Sequence, residues 1–207
     1  MTDDIQALRA DVAFLKSLAT DEGSIPGIVG AHFVAAGVIY GLPAIFAWAI
    51  FRRLVDVPQA IAAGMGLWPT VVYIPVMLLI FLRTPKPKPG AAQGRAMVVG
   101  WSGVGLVTLT MLAVIFIAGA RLHESQMWQV WTSICFALWG AAWWVVAVLR
   151  RSKGWLLVAL GSLANAVVNA CLVSTPEEIL GCGVGILLWL AGPGFWIMFH
   201  DRSRVAG

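Results

Sequence analysis

The sequence predicts an all-α polytopic membrane protein: six transmembrane helices in a bundle, preceded by an amphipathic N-terminal helix. Three observations predict it. Of the 207 residues, 60% are hydrophobic and only 12% charged, with mean hydropathy +0.86. A soluble domain carries about 25% charged residues, so this chain has too few charges to clothe a water-facing surface. The apolar residues fall in six runs, approximately 26–51, 59–82, 97–118, 128–149, 155–173 and 179–199. As a helix, each is long enough to cross about 30 Å of hydrocarbon, which takes roughly 20 residues. The charges sit between the runs, and within the six there is no Asp, Glu, Lys or Arg.

The organisation that follows is a cytoplasmic amphipathic helix within 1–23, a six-helix transmembrane domain over 24–200, and a cytoplasmic tail over 201–207. In the first segment Ile5, Leu8, Val12, Leu15 and Ala19 recur at helical intervals, and Phe14 and Leu18 widen the stripe. Thr2 is placed to cap the helix, Asp3 and Asp4 suit the positive end of its dipole, and Gly23 is placed to stop it. A helix built to lie on anionic lipid is rich in Lys and Arg. This one carries Asp3, Asp4 and Asp11 beside Arg9 and Lys16, with Asp21 and Glu22 following. That balance favours docking against protein, either the chain's own basic loops or a partner. A signal peptide is not expected, because the opening residues are acidic and amphipathic.

Within the spans, Pro43, Pro69 and Pro75 are expected to bend their helices, with neighbours satisfying the freed carbonyls. Ala31 and Ala35, Gly37 and Gly41, and Gly181 and Gly185 are small residues four apart, which let helices approach closely in lipid. Thr84 to Pro89, Thr-Pro-Lys-Pro-Lys-Pro, reads as a short extended linker. Thr175-Pro176-Glu177-Glu178 fits a capping box opening the sixth span, with Pro at the first helical position. Leu67-Trp68, Leu138-Trp139 and Leu188-Trp189 each fall in an even-numbered span and mark three hairpins as a candidate repeat. Trp48, Trp128, Trp131, Trp155 and Trp196 lie near span ends, where an interfacial belt is expected.

An even number of spans puts both termini on one side. That side holds 11 of the 14 basic residues, in the N-terminal segment, the 83–95 loop, Arg150, Arg151 and Lys153, and the tail; Arg52, Arg53 and Arg121 lie on the other. The positive-inside rule then predicts that both termini and the two basic loops are cytoplasmic. The pI of about 9.3 is thus a topology signal. Anionic head groups or an acidic partner are the expected counterparts of the basic loops. Nucleic acid is not, since no aromatic-interleaved basic motif accompanies them.

Few residues are candidates for chemistry. Ser162, Asn165 and Asn169 recur at helical spacing on the fifth span. An amide left unpaired in lipid costs several kcal/mol, so both asparagines must face protein or a cavity. Two readings stay open: interhelical hydrogen bonds of roughly 1 kcal/mol each, or a polar lining for a small uncharged ligand. His32 is the other candidate, either as a neutral imidazole bonded to a neighbouring helix or as a proton-handling, metal or haem-ligating group. His200 lies at the same side of the membrane. No cofactor or metal is expected. The three cysteines, Cys135, Cys171 and Cys182, lack metal-ligand spacing, although Cys171 and Cys182 lie close to the outer ends of adjacent spans, where a disulfide would require facing geometry. Gly100-Trp101-Ser102-Gly103 matches the Gly-x-Ser-Gly pattern of rhomboid intramembrane proteases. Here the histidine precedes the serine and both lie at the inner side, so a glycine-rich packing face accounts for it better.

The opening Asp4-Ile-Gln-Ala-Leu-Arg-Ala-Asp-Val-Ala-Phe-Leu-Lys16 and the fourth span around Leu138-Trp-Gly-Ala-Ala142 carry one further likeness. In plan the chain resembles a group of uncharacterised bacterial six-span inner-membrane proteins with an acidic N-terminal helix, often found beside winged-helix regulators. The resemblance implies a regulatory or sensory membrane role and names no catalytic residue. The leading expectation is a non-enzymatic sensor or interaction component with a protein partner at its N-terminal helix and basic loops. A small carrier or channel for an uncharged solute comes second, and an intramembrane enzyme or haem protein using His32 third.

Overall fold

The computed structural model describes residues 27–83, 92–122 and 129–205. The expected amphipathic helix, the Thr84–Pro89 linker, Trp128 and the side chain of His200 lie outside the described residues. What is described is all-helical: α1 (Gly27–Phe51), α2 (Gln59–Gly64), α3 (Trp68–Leu82), α4 (Ala92–Leu122), α5 (Val130–Arg150), α6 (Lys153–Cys171), α7 (Pro176–Ile186) and α8 (Gly192–Val205). A single widened turn, a π segment over Leu187–Ala191, joins α7 to α8 without interrupting the rod. Five helical stretches are long and apolar enough to cross a membrane: Gly27–Phe51, Gly100–Arg121, Val130–Arg150, Lys153–Cys171 and Pro176–Phe199.

The second apolar run departs from expectation. Instead of one helix over 59–82, the chain makes α2, a turn at Met65-Gly66-Leu67, and then α3. Pro69 explains the break: it occupies the second position of α3, where its missing N–H is harmless, so it opens a helix here and bends none. The 15 residues of α3 give a rod of about 22 Å, shorter than the hydrocarbon. Pro43 and Pro75 do lie within helices.

Helix α1 is the centre of the bundle. It packs along the whole α7–π–α8 rod, while α3 lies against it at Tyr40, whose hydroxyl donates to Thr70 Oγ1 (3.3 Å) and whose ring meets Tyr73 (5.5 Å). The α1 seam is made of glycine. A Cβ added to Gly37 would lie 2.5 Å from Ala191 Cβ, one on Gly41 2.8 Å from Leu187 Cγ, and one on Gly30 2.7 Å from the Gly194 carbonyl. From the other side, Gly183 and Gly194 each lie within 2.8 Å of an α1 carbonyl on the same measure. The numbers run in opposite senses along the two rods, so they are antiparallel. Gly37 and Gly41 thus act as expected, but Gly30 takes the third contact and Ala31 and Ala35 are half-buried beside it.

Helices α5 and α6 form the tightest hairpin, closed by Arg151 in a left-handed conformation (φ 46°) and by Gly140 against Leu163. Two apolar clusters fill the bundle. One joins Trp143, Val146, Ala147, Trp155, Ala159 and Ile197, with Val29, Phe33 and Trp101 against it; the other joins Phe136, Ala166, Ile186 and Leu190. In the first, Trp155 stacks on Trp143 at 5.0 Å and is only 6% exposed. It is a core residue, not a member of an interfacial belt, because ring stacking inside the bundle has claimed its apolar face. Trp131 and Trp48 are half-buried, and Trp196 is exposed.

Among the described residues, α2, α3 and α4 are the least enclosed helices: α2 buries none of its residues, α3 only Pro69 and α4 only Ile115. The outward side chains of α3 and α4 (Val71, Ile74 and Leu78; Leu106, Leu109 and Phe116) are apolar, as hydrocarbon contact requires. Among the described residues nothing lies within 4 Å of a Cβ added to Gly100 or Gly103, so they form no packing face with those residues. The motif residue that packs is Trp101, 4.4 Å from Phe33 and 4.7 Å from Trp143. The three Leu-Trp pairs also differ in setting: Trp68 opens α3, Trp139 sits mid-α5, and Trp189 lies in the π segment.

Candidate functional site: a polar seam between α5, α6 and α7

Helix α6 buries one stripe, Trp155, Ala159, Ser162, Ala166 and Asn169, all at helical spacing. Ser162 and Asn169 are both 0% exposed. Asn165 stands one step aside, half-buried and turned to α7. Its Nδ2 donates to the Gly181 carbonyl in a long bond of 3.4 Å, and Asn169 Nδ2 donates to the Asn165 carbonyl at 2.9 Å. The structure therefore brings the two asparagines together and sets them against glycine. A Cβ on Gly185 would lie 2.8 Å from Asn165 Cγ and 2.7 Å from Phe136 Cζ; one on Gly181 would lie 3.1 Å from Asn169 Oδ1. Gly181 and Gly185 are small so that α7 can accept two amide side chains from α6.

Three buried oxygens of this region, Ser133 Oγ, Ser162 Oγ and Asn169 Oδ1, have no hydrogen-bond partner among the described residues. Phe136 and Ala166 share a cluster, and that register sets Ser133 level with Asn169 across the α5–α6 hairpin. The seam thus holds unused acceptor capacity in an otherwise apolar interior.

One turn further along, Trp143 and Trp189 make a joint that the residue pattern leaves unmarked. Pro193 has no N–H, so the carbonyl four residues back, that of Trp189, loses its helical donor. The turn widens, with the Gly192 N–H bonding the Leu187 carbonyl, and Trp143 Nε1 donates to the Trp189 carbonyl at 3.0 Å. The Trp189 ring lies flat over Gly161, whose added Cβ would come within 2.5 Å of Cζ2. Helices α5, α6 and the π segment are pinned at this residue. The signal was present in Pro193 as a carbonyl in need of a donor; which side chain would reach it was not.

His32 is half-buried on α1 and bonds its own helix: Nδ1 donates to the Ile28 carbonyl one turn back at 3.0 Å. A bond to a neighbouring helix is not what the structure gives, because the ring's donor is satisfied locally. Among the described residues no group of three His, Cys, Asp or Glu side chains could hold a metal ion. Cys135, Cys171 and Cys182 are free thiols, Cys135 buried, Cys171 exposed and Cys182 half-buried, so the structure holds no Cys171–Cys182 disulfide.

At the end of the bundle away from Gly27, Arg52 pairs with Glu177, and Ser174 Oγ donates to Gln129 Oε1 at 2.8 Å. The capping box is not formed. Pro176 does open α7, but the Thr175 hydroxyl turns back to the Leu172 carbonyl at 2.6 Å, and the Glu178 carboxylate accepts from the Ser174 backbone N–H instead of that of Thr175.

The fold defines a class: five helices long and apolar enough to cross a bilayer, packed as a bundle, make this a multi-pass membrane protein. Comparison with known protein families, with curated proteins and with solved structures finds no match for the chain.

Proposed function

We propose that the chain crosses a bacterial inner membrane six times, with both termini in the cytoplasm, and serves there as a non-enzymatic interaction or sensory component. The sixth crossing is the broken run α2–α3. Tyr40 is 13 residues, about 20 Å, from Gly27, and α3 begins level with Tyr40 and is about 22 Å long. Run antiparallel to α1, it reaches the level of Gly27, with α2 filling the other half of the bilayer. That count keeps the basic 83–95 loop, Arg150, Arg151 and Lys153 on the side of both termini.

The observation that carries the functional reading is the use made of the asparagines. Their donors join α6 to itself and to α7, and glycines close against them, which is how a seam is built. Partner contact then falls to the N-terminal segment and the basic loops, and the resemblance to six-span proteins found beside winged-helix regulators favours a regulatory role. Deleting residues 2–20 should abolish co-purification of the partner and leave the helical core inserted. Co-purification undiminished by the deletion would defeat this reading.

A second reading, a carrier for a small uncharged solute, is favoured by the unpaired Ser162 Oγ and Asn169 Oδ1. Reconstituted vesicles would then show a solute flux that falls when Asn165 and Asn169 become leucine. For a haem protein using His32, purified protein from haem-replete cells would show a Soret band, and a colourless preparation would end that idea.

A further inference from the structure

We infer that the end of the polar seam away from Gly27 is a binding site for a small monovalent cation, an alkali ion or ammonium, held by Asn169 Oδ1, Ser133 Oγ and the Glu178 carboxylate. Such a site needs neither a protein partner nor transport, and it takes a charge where the second reading has an uncharged solute.

The three groups come together from three helices. Gly181 of α7 closes on Asn169 Oδ1 of α6, and the Thr132 hydroxyl of α5 donates to the Cys182 sulfur of α7. Residues 132–133, 169 and 181–182 therefore stand at one level of the bundle. Glu178 lies one turn, about 5 Å, beyond that level. It shares a face of α7 with Gly185, seven residues on, and Gly185 is the residue pressed against Asn165 and Phe136. Glu178 thus belongs to the face of α7 that meets both α5 and α6. The charge-free apolar run starts at 179, but α7 starts at Pro176 and carries Glu178 into the bundle, where it is only 8% exposed.

What these groups lack is a donor. Asn169 Oδ1 and Ser133 Oγ are buried without a hydrogen-bond partner among the described residues, and Asn169 is 0% exposed. The amide donors beside them are already spent, Asn165 Nδ2 on the Gly181 carbonyl and Asn169 Nδ2 on the Asn165 carbonyl. Glu178 receives the Ser174 backbone N–H, while Arg52 is taken by Glu177. A buried carboxylate with no counter-charge is costly, and a cation would supply that charge and satisfy the two orphan oxygens together.

The donor set also selects the ligand. A neutral amide or urea brings carbonyl acceptors of its own, and here only a serine hydroxyl is left to answer them. A cation brings none. One carboxylate balances one positive charge, so the ion is monovalent. Carboxylate, amide and hydroxyl oxygens suit a hard ion, and no cluster of three His, Cys, Asp or Glu side chains among the described residues offers a transition metal the site it needs.

Titration calorimetry of the full chain in neutral-lipid nanodiscs tests this, with NaCl, KCl or NH4Cl added separately to a choline chloride buffer. One saturable site per chain is expected for at least one of the three cations. Ser133 Oγ bonds nothing among the described residues, so Ser133→Ala removes no bond of the fold; Glu178→Gln keeps an acceptor for Ser174 and loses only the charge. Each should weaken binding by about tenfold or more, the worth of one bond to an ion. Unchanged helical ellipticity in both variants excludes unfolding as the cause. Loss of partner co-purification and loss of solute flux are separate readouts, so neither reading above stands or falls with this site. Heats no larger than choline dilution for all three salts, as for a seam filled by water alone, would overturn the proposal. So would undiminished binding in either variant, or calcium bound more tightly than every monovalent ion.

Discussion

Replacing Gly37 with alanine should destabilise the bundle, whereas the same change at Gly100 should not. The added methyl at Gly37 meets Ala191 Cβ at 2.5 Å, its backbone N at 2.7 Å and its Cα at 2.8 Å. Ordinary carbon contacts are about 3.5–4.0 Å, so α1 and the π segment must part by about 1 Å. Two of the three obstructing atoms are backbone, and no rotamer change relieves them. Overpacking of this kind costs about 1–3 kcal/mol. Separation also loosens the neighbouring contacts at Gly30, Gly41, Gly183 and Gly194, since one rigid rod carries them all. Against this, alanine is a better helix former than glycine by about 1 kcal/mol in water. At Gly100 nothing among the described residues lies within 4 Å, so only the favourable term operates. Equilibrium unfolding of the two variants in mixed micelles, followed by tryptophan fluorescence, measures the difference. A Gly37→Ala protein as stable as Gly100→Ala would refute the glycine seam.

Three further outcomes are expected. Trp143→Phe leaves the Trp189 carbonyl without its donor and should cost about 1–3 kcal/mol; Pro193→Ala, which restores a backbone donor, should recover part of it in a double-mutant cycle read by the same unfolding assay. Arg52→Gln should cost no more than about 1 kcal/mol, because Arg52 is 50% exposed and its pairing with Glu177 is solvent-screened; a larger loss in the same assay would mean the pair is shielded. Cys171, exposed, should react quickly with a membrane-permeant maleimide while buried Cys135 reacts slowly, and mass spectrometry of the labelled peptides checks the order.

The contrast between Gly37 and Gly100 shows where residue pattern stops being informative. In water, an amphipathic helix shows which face is inward, because solvent rejects apolar side chains. In hydrocarbon, lipid tails and helix neighbours are equally apolar, so both glycines sit in similar runs and only packing separates them. The polar seam was more legible. Ser162, Asn165 and Asn169 stand out because buried amides require partners, but that Gly181 and Gly185 would receive the asparagines depended on how α6 and α7 cross.

By itself the sequence determined that this chain lives in a membrane, since six charge-free apolar runs leave no other solvent for it. It also determined that the asparagines face inward and that the basic residues gather in a few loops. Only the tertiary structure decided that the second run breaks ahead of Pro69, that Trp155 stacks in the core, and that His32 bonds its own helix. The physical reason is one of range: transfer into hydrocarbon is additive along the chain, residue by residue. Close packing depends on which two surfaces meet, and no single run of residues contains that information.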